Sequence, residues 1–250
     1  MISFEGKVIL VVDDEKGFRE VLADEFQMVG ATVLTAENGR NAFEIYKTHK
    51  VDAIVSDVRM PDGDGIEFLD SLKLVDARMP LVMLITGFSD LTPESAYEKG
   101  AEAIFSKPFS LDELLASVHR ALLPSKERWG GPFVQAPSDF EIELKFESMT
   151  VAVKARVLSV GRGGMFLEFE GTPPTVGRRV VFRIRASDSA GVAFEGLGVC
   201  RWFRRAGTPD LPEGIGVEFL ALPEPSLTRF LDFLTAAPPR KAFIPNGSRA

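Results

Sequence analysis

The stretch VDAIVSDVRMPDGDGIEFL, residues 51–69, constrains the fold more than any other part of the chain. Residues 51–56 are mostly apolar and β-branched, the composition of a parallel strand covered on both faces. Asp57 ends that run. The carboxyl ends of strands in an open α/β sheet are where such folds bind ligands. Met60-Pro61 and the run Asp62, Gly63, Asp64, Gly65 then form a turn, and Ile66, Phe68, Leu69 and Leu72 begin a helical pattern. Strand, acid, turn and helix in that order present one carboxylate for chemistry.

The rest of the first half repeats the unit. Residues 7–15 read as a second buried strand ending in Asp13 and Asp14. A helix follows, with Phe18, Val21, Leu22, Phe26 and Val29 on one stripe and Gly30 as its stop. A short strand at 31–36 precedes a helix near 41–49. Residues 81–86 form a strand ending in Thr86, and Thr92-Pro93 starts a helix that stops at Gly100. A strand at 103–106 leads into Lys107-Pro108, and Ser110 with Glu113 makes a capping box for a last helix carrying Leu111, Leu114, Leu115, Val118 and Leu122. The alternation predicts an α/β fold: a doubly wound, five-stranded parallel sheet with helices on both faces.

Four strand ends thereby carry Asp13, Asp14, Asp57, Thr86 and Lys107 to one edge. Three carboxylates in one pocket repel each other and call for a hard divalent cation with oxygen ligands, which suits Mg²⁺. Such a metal neutralises an incoming phosphoryl group and leaves one carboxylate as nucleophile. Lys107 offers charge to a phosphoryl oxygen and Thr86 a hydroxyl donor. A lone aspartate after a strand is ordinarily a turn or capping group; the full set is not. His49 and His119 lie on helical patterns without ligand-spaced neighbours and read as surface or packing residues.

The two halves differ in charge. Residues 1–124 carry 12 Lys/Arg and 22 Asp/Glu, a net of −10, and residues 125–250 carry 17 and 14, a net of +3. At 250 residues the chain holds one or two domains. One cysteine, Cys200, excludes an internal disulfide and fits a cytoplasmic protein. No run is long enough for a membrane span, so no membrane insertion is expected.

Residues 124–138 hold three prolines and a glycine pair without periodicity and read as a linker. Residues 140–147 then alternate strictly, Phe140, Ile142, Leu144 and Phe146 against Glu141, Glu143, Lys145 and Glu147, as in a strand with one buried face. Further strands are expected at 151–160, 165–170, 178–186, 191–205 (strand or hairpin arm) and 214–222. Leu227, Phe230, Leu231 and Leu234 mark an amphipathic helix at 224–236. About six antiparallel strands and a terminal helix predict a small closed barrel. The tail from 237 is expected to be disordered. Arg201, Arg204 and Arg205 flank Trp202 and Phe203, and Arg178, Arg179, Arg183 and Arg185 line another strand. These make either an anion- or protein-docking face or simply the solvated side of a strand. No helix-turn-helix pattern appears and +3 is a modest charge, so nucleic acid is not expected.

Residues 1–123 resemble the receiver domain of two-component response regulators. The acidic pair, the central aspartate with Met-Pro beyond it, the threonine and the Lys-Pro all stand at that family's spacing. The resemblance implies Asp57 as phosphoacceptor, a histidine kinase or phosphotransfer protein as donor, Mg²⁺ on Asp14, Asp57 and the backbone carbonyl of Arg59 with Asp13 through water, and Thr86 and Lys107 on the phosphoryl group. Receivers usually carry Tyr or Phe three residues before the lysine; here Ile104 stands there, which puts the usual aromatic readout in question. Residues 139–236 resemble a PilZ domain, through SVGRGGMFL at 159–167 and GIGVEF at 214–219. Many such domains bind cyclic di-GMP with two arginines four residues apart and an Asp/Asn-x-Ser-x-x-Gly motif. Here Arg128 is followed at that spacing by Pro132, and the motif retains only Gly164. No cyclic di-GMP binding is expected; a receptor with non-standard ligand residues is the alternative. The resemblance implies no enzyme, an unknown protein target, an output in motility, polarity or surface polysaccharide, and is compatible with a homodimer.

Overall fold

The computed structural model describes residues 2–76, 80–87, 91, 93–130, 140–146, 158–160, 163–168, 171–175, 177–186, 192–204 and 213–236. The chain divides into two compact units, with the boundary between Leu122 and Leu123.

The first unit alternates β1 (Val8–Val12), α1 (Lys16–Met28), β2 (Thr32–Ala36), α2 (Gly39–Thr48), β3 (Ala53–Asp57), α3 (Gly65–Val75), β4 (Leu81–Thr86), α4 (Pro93–Lys99), β5 (Ala103–Ser106) and α5 (Leu111–Leu122). Its five strands are all parallel, as the sequence predicts, and lie in the order β2-β1-β3-β4-β5. Every residue of β3 and β4 is buried, whereas edge strand β2 buries only Ala36. Continuous apolar runs thus occupy the middle, where helices cover both faces. Local signals set the helix ends. Asp64 Oδ1 accepts the N–H groups of Ile66 and Glu67 at 2.8 Å and caps α3. Gly30, at φ +93°, ends α1, with the N–H of Ala31 donating to the carbonyl of Phe26.

One stripe differs from its expectation. On α1 only Leu22, Ala23 and Phe26 are buried; Val21 is 47% exposed and Phe18 is half-buried. The covered face of α1 is therefore centred on Leu22 and Phe26, with Val21 turned off it.

The second unit holds α6 (Ser125–Trp129), β6 (Phe140–Phe146), β7 (Leu158–Val160), β8 (Gly164–Glu168), β9 (Arg179–Ala186), β10 (Val192–Arg204), β11 (Gly214–Ala221) and α7 (Ser226–Ala236). Its six strands run in the order β6-β9-β10-β11-β8-β7 and form a curled mixed half-barrel. The expected all-antiparallel pairing is corrected at one place: β6 lies parallel to β9. The physical reason is connection length, because β7 and β8 pair at the far edge and the chain needs a long crossover to return beside β6. Residues 191–205, expected as strand or hairpin arm, give one 13-residue strand with register shifts after Leu197 and Cys200. The first part of the strand expected at 151–160 and the tail from 237 lie outside the described residues.

The core of this unit is aromatic. Phe219 packs within 5.1 to 6.1 Å, centroid to centroid, of Phe230, Phe182, Phe194 and Trp129. Trp129 lies in the stretch read as linker, yet it sits on a helix and is 2% exposed. Its carbonyl accepts the N–H of Leu222 at 3.0 Å. A proline-rich, aperiodic setting hid this anchor, because one aromatic carries no period. Cys200 is buried and free, and burial pushes its thiol up to about 11. Among the described residues no helix is long and apolar enough to cross a membrane.

Replacing Trp129 by Ala should destabilise the second unit by about 3–5 kcal/mol, the usual loss for a large buried aromatic. Hydrogen exchange would show faster exchange across β9 to β11 with β1, β3 and β4 unchanged. Unaltered protection in β9 to β11 would mean that α6 is dispensable to that core.

Candidate functional site

The site lies where β1, β3, β4 and β5 end. Register brings the ends level: Val12 pairs with Ser56, Asp57 with Ile85, and Thr86 with Ser106. Asp13 follows β1 directly, and Lys107 follows β5, its N–H donating to the carbonyl of Thr86 at 2.7 Å. Residues far apart in the chain thus share one edge because parallel strands all point their carboxyl ends the same way.

Side-chain geometry then closes the group. Lys107 Nζ donates to Asp57 Oδ1 at 2.7 Å and lies 3.4 Å from Asp13 Oδ2. Asp57 Oδ2 accepts the N–H of Arg59 at 2.8 Å, and Asp13 Oδ1 accepts that of Glu15 at 2.8 Å. Arg19 donates to the carbonyl of Asp13. Asp13 and Asp57 are both buried, Asp57 at 7% exposure, while Asp14 is exposed beside them. Burial raises the Asp13 carboxyl above the ordinary range; the bond from Glu15 and the charge of Lys107 pull the other way, and the charge of Asp57 adds to the rise. For Lys107, burial favours the neutral amine, but the hydrogen bond and charge of Asp57, then those of Asp13, outweigh it and raise its pKa. Lys107 is therefore a firmly charged ammonium clamped between two carboxylates.

The loop after β3 aims Asp57. Asp62 takes φ +60° and Gly63 φ +124°, which turns the chain sharply into α3. Gly65 packs on the strand end: a Cβ there would come within 2.2 Å of the Asp57 carbonyl oxygen. Its N–H donates to the carbonyl of Val58 at 2.9 Å. Ser56 Oγ donates to the Asp57 carbonyl at 2.9 Å. The sequence marks Gly65 as a turn residue but gives no sign that it touches the aspartate.

Three aspartates against one ammonium leave a net negative edge with oxygen donors alone, which fits a hard divalent cation. Among the described residues no three acidic or imidazole groups are drawn together around a vacant point. Mg²⁺ needs no such cage, since it keeps several of its waters and takes one or two carboxylates. The oxygen donors that Asp13, Asp14, Asp57 and the Arg59 carbonyl offer are of the kind such an ion takes.

In the second unit, the arginines read as a docking face are largely committed to glutamates. Arg183 lies 3.6 Å from both Glu141 and Glu195, and Arg185 lies 2.7 Å from Glu143. Arg201 binds Glu218, 2% exposed at its side chain, through Nε at 2.7 Å. Arg183 stands directly opposite Glu195 on β10, whereas its contact with Glu141 and that of Arg185 with Glu143 on β6 run diagonally, two places off the register. Arg178 is exposed and Arg179 half-buried. The Arg204 side chain and Arg205 lie outside the described residues, as does Gly161 of the motif compared with Asp/Asn-x-Ser-x-x-Gly. Ser159 and Gly164 stand on the paired strands β7 and β8. Arg128 sits on α6 with its guanidinium carbon 5.2 Å from the Trp129 ring centre.

Comparisons with known proteins agree with this division. Residues 9–119 match the family model of the response regulator receiver domain and residues 125–236 that of the PilZ domain. Similar curated proteins include the regulatory protein AtoC of Escherichia coli strain K12, 32% identical over 172 residues, 62% of this chain and 37% of that protein. The DNA-binding transcriptional regulator NtrC of the same strain is 37% identical over 122 residues, 48% of this chain and 26% of that protein. The response regulator MprA of Mycobacterium sp. strain KMS is 32% identical over 154 residues, 62% of this chain and 66% of that protein. The chain thus spans between about a quarter and two thirds of these relatives. Among solved structures, the response regulator TrrA from Thermotoga maritima in complex with Mg²⁺-BeF is 33% identical, covering 47% of this chain and 99% of that one, with a TM-score of 0.41. A receiver domain protein from Clostridium thermocellum is 27% identical, covering 46% and 94%, with a TM-score of 0.44.

Replacing Gly65 by Ala should destabilise the first unit by about 1–3 kcal/mol, the cost of forcing atoms into an occupied space. Helix propensity alone would favour Ala over Gly by about 1 kcal/mol, so the sign reports the contact with Asp57. A urea midpoint that stays level or rises would show that the turn gives way.

Proposed function

The chain joins a response regulator receiver domain to a PilZ domain, and on that premise we propose that it is a signalling switch phosphorylated on Asp57 by a histidine kinase or a phosphotransfer protein. The observation that carries this reading is the clamp of Lys107 on Asp57 Oδ1 at 2.7 Å, with Asp13 beside it. It holds a carboxyl nucleophile and a cation for a phosphoryl oxygen in one place.

The chemistry follows from that arrangement. A carboxylate oxygen of Asp57 attacks the phosphorus of a phosphohistidine; the new O–P bond forms as the P–N bond breaks, and the leaving imidazole takes a proton from solvent. Lys107 stabilises charge on the transferring oxygens, and the Thr86 hydroxyl donates to one of them. Bound Mg²⁺ would supply charge neutralisation between the carboxylates and the phosphoryl oxygens. Burial of Asp13 and Asp57 keeps the surroundings of low polarity, in which such charge contacts count most.

Both domains belong to regulatory families, and the chain's output is an interaction rather than a turnover reaction. We assign that output to the PilZ domain acting on a protein target, in motility, polarity or surface polysaccharide. The missing arginine pair and the altered Ser159-to-Gly164 motif support an output without cyclic di-GMP. So do the glutamate partners of Arg183, Arg185 and Arg201, which leave those forks engaged.

Acetyl phosphate with Mg²⁺ should label the full chain, and Asp57→Ala should lose the label entirely, as read by hydroxylamine-labile phosphate and mass spectrometry. Label persisting in that variant would move the acceptor elsewhere. Calorimetric titration of the full chain with cyclic di-GMP should give no saturable heat up to about 100 μM, a weak limit corresponding to about −5.5 kcal/mol. Saturable binding at micromolar or tighter concentration would instead make the domain a receptor with non-standard ligand residues.

A further inference from the structure

The ammonium of Lys107 has a third neighbour that the acids do not explain. Its Nζ lies 4.5 Å from the ring centre of Phe18, on the first turn of α1. Phe18 is not in the core: the buried residues of that helix are Leu22, Ala23 and Phe26. Its ring is held in turn by Phe109, at 6.1 Å and 83° between planes, and Phe109 rests on Phe105 of β5 at 5.6 Å. A row of three rings, from α1, the segment after β5 and β5 itself, thus ends with Phe18 at the ammonium.

Resting on the reading of Asp57 as phosphoacceptor, we propose that Phe18, braced by Phe109, positions Lys107 for contact with the phosphoryl group. A lysine reaches its site on a flexible four-carbon stem and its ammonium is strongly hydrated. On one side of Lys107 two carboxylates hold it; the side chain is still 33% exposed. The face of an aromatic ring attracts a cation and displaces water from it. Phosphorylation changes the charge and shape of Asp57 and so alters the carboxylate side of this clamp. The Phe18 face is the same before and after. It therefore limits how far the ammonium strays while the phosphoryl group arrives and leaves.

The test compares the full chain with Phe18→Leu, which keeps an apolar side chain of similar size but removes the ring face, and Phe18→Tyr, which keeps the ring. Two readouts are taken: the rate of phosphoryl uptake from acetyl phosphate with Mg²⁺, and the rate of Lys107 acylation by sulfosuccinimidyl acetate without Mg²⁺, mapped by peptide mass spectrometry. Phe18→Leu should slow uptake about threefold to tenfold, the range set by a cation–ring contact, and speed acylation of Lys107, with an unchanged thermal midpoint. Phe18→Tyr should restore both rates to within about twofold. Rates within twofold in the Leu variant, or equal losses in Leu and Tyr, would overturn the assignment. Should the parent chain take up no phosphate, the reading of Asp57 falls. Lys107 acylation then decides alone: a rate unchanged by Phe18→Leu overturns the positioning role.

Discussion

The ammonium of Lys107 between Asp13 and Asp57 is the contact around which the charged edge of the first unit is arranged. Burial and the neighbouring charge of Asp57 raise the Asp13 carboxyl, and the charge of Lys107 pulls it back. The lysine itself stays charged because of the two carboxylates. The pair also joins the end of β5 to the ends of β1 and β3, so it fixes the edge of the sheet as well as its charge.

Around this contact the scaffold works by exclusion. Continuous apolar strands sink the sheet centre beneath helices, leaving only strand ends at the surface. Gly65 brings α3 against the Asp57 carbonyl, closer than any side chain would allow.

The second unit is held differently. Its core is a set of aromatic rings in mutual contact, closed edge to face by Trp129 from a short helix before the sheet. Its outer arginines are neutralised across the strands by glutamates. A net charge of +3 in that half of the chain therefore does not translate into a free cationic face on β9. Counted charges say little about a sheet surface until the register shows which of them stand opposite one another.

The sequence by itself determined the first sheet, its five parallel strands by the rule of alternating elements, and the convergence of Asp13, Asp57 and Lys107 at one edge; the strand order came from the folded chain. That was legible because burial on two faces and parallel direction are written as apolar runs each ended by a polar residue. Period two likewise marked β6 as a one-faced strand. Tertiary structure alone decided the rest. It placed Trp129 in a core although its surroundings read as linker, turned β6 parallel to β9, and matched Arg183, Arg185 and Arg201 with glutamates. It lifted Phe18 out of the apolar stripe and set its ring over an ammonium 89 positions further along the chain. Periodicity reports which face of an element is covered; it carries no information about which distant residue does the covering, since that depends on register and crossover, which only the folded chain fixes.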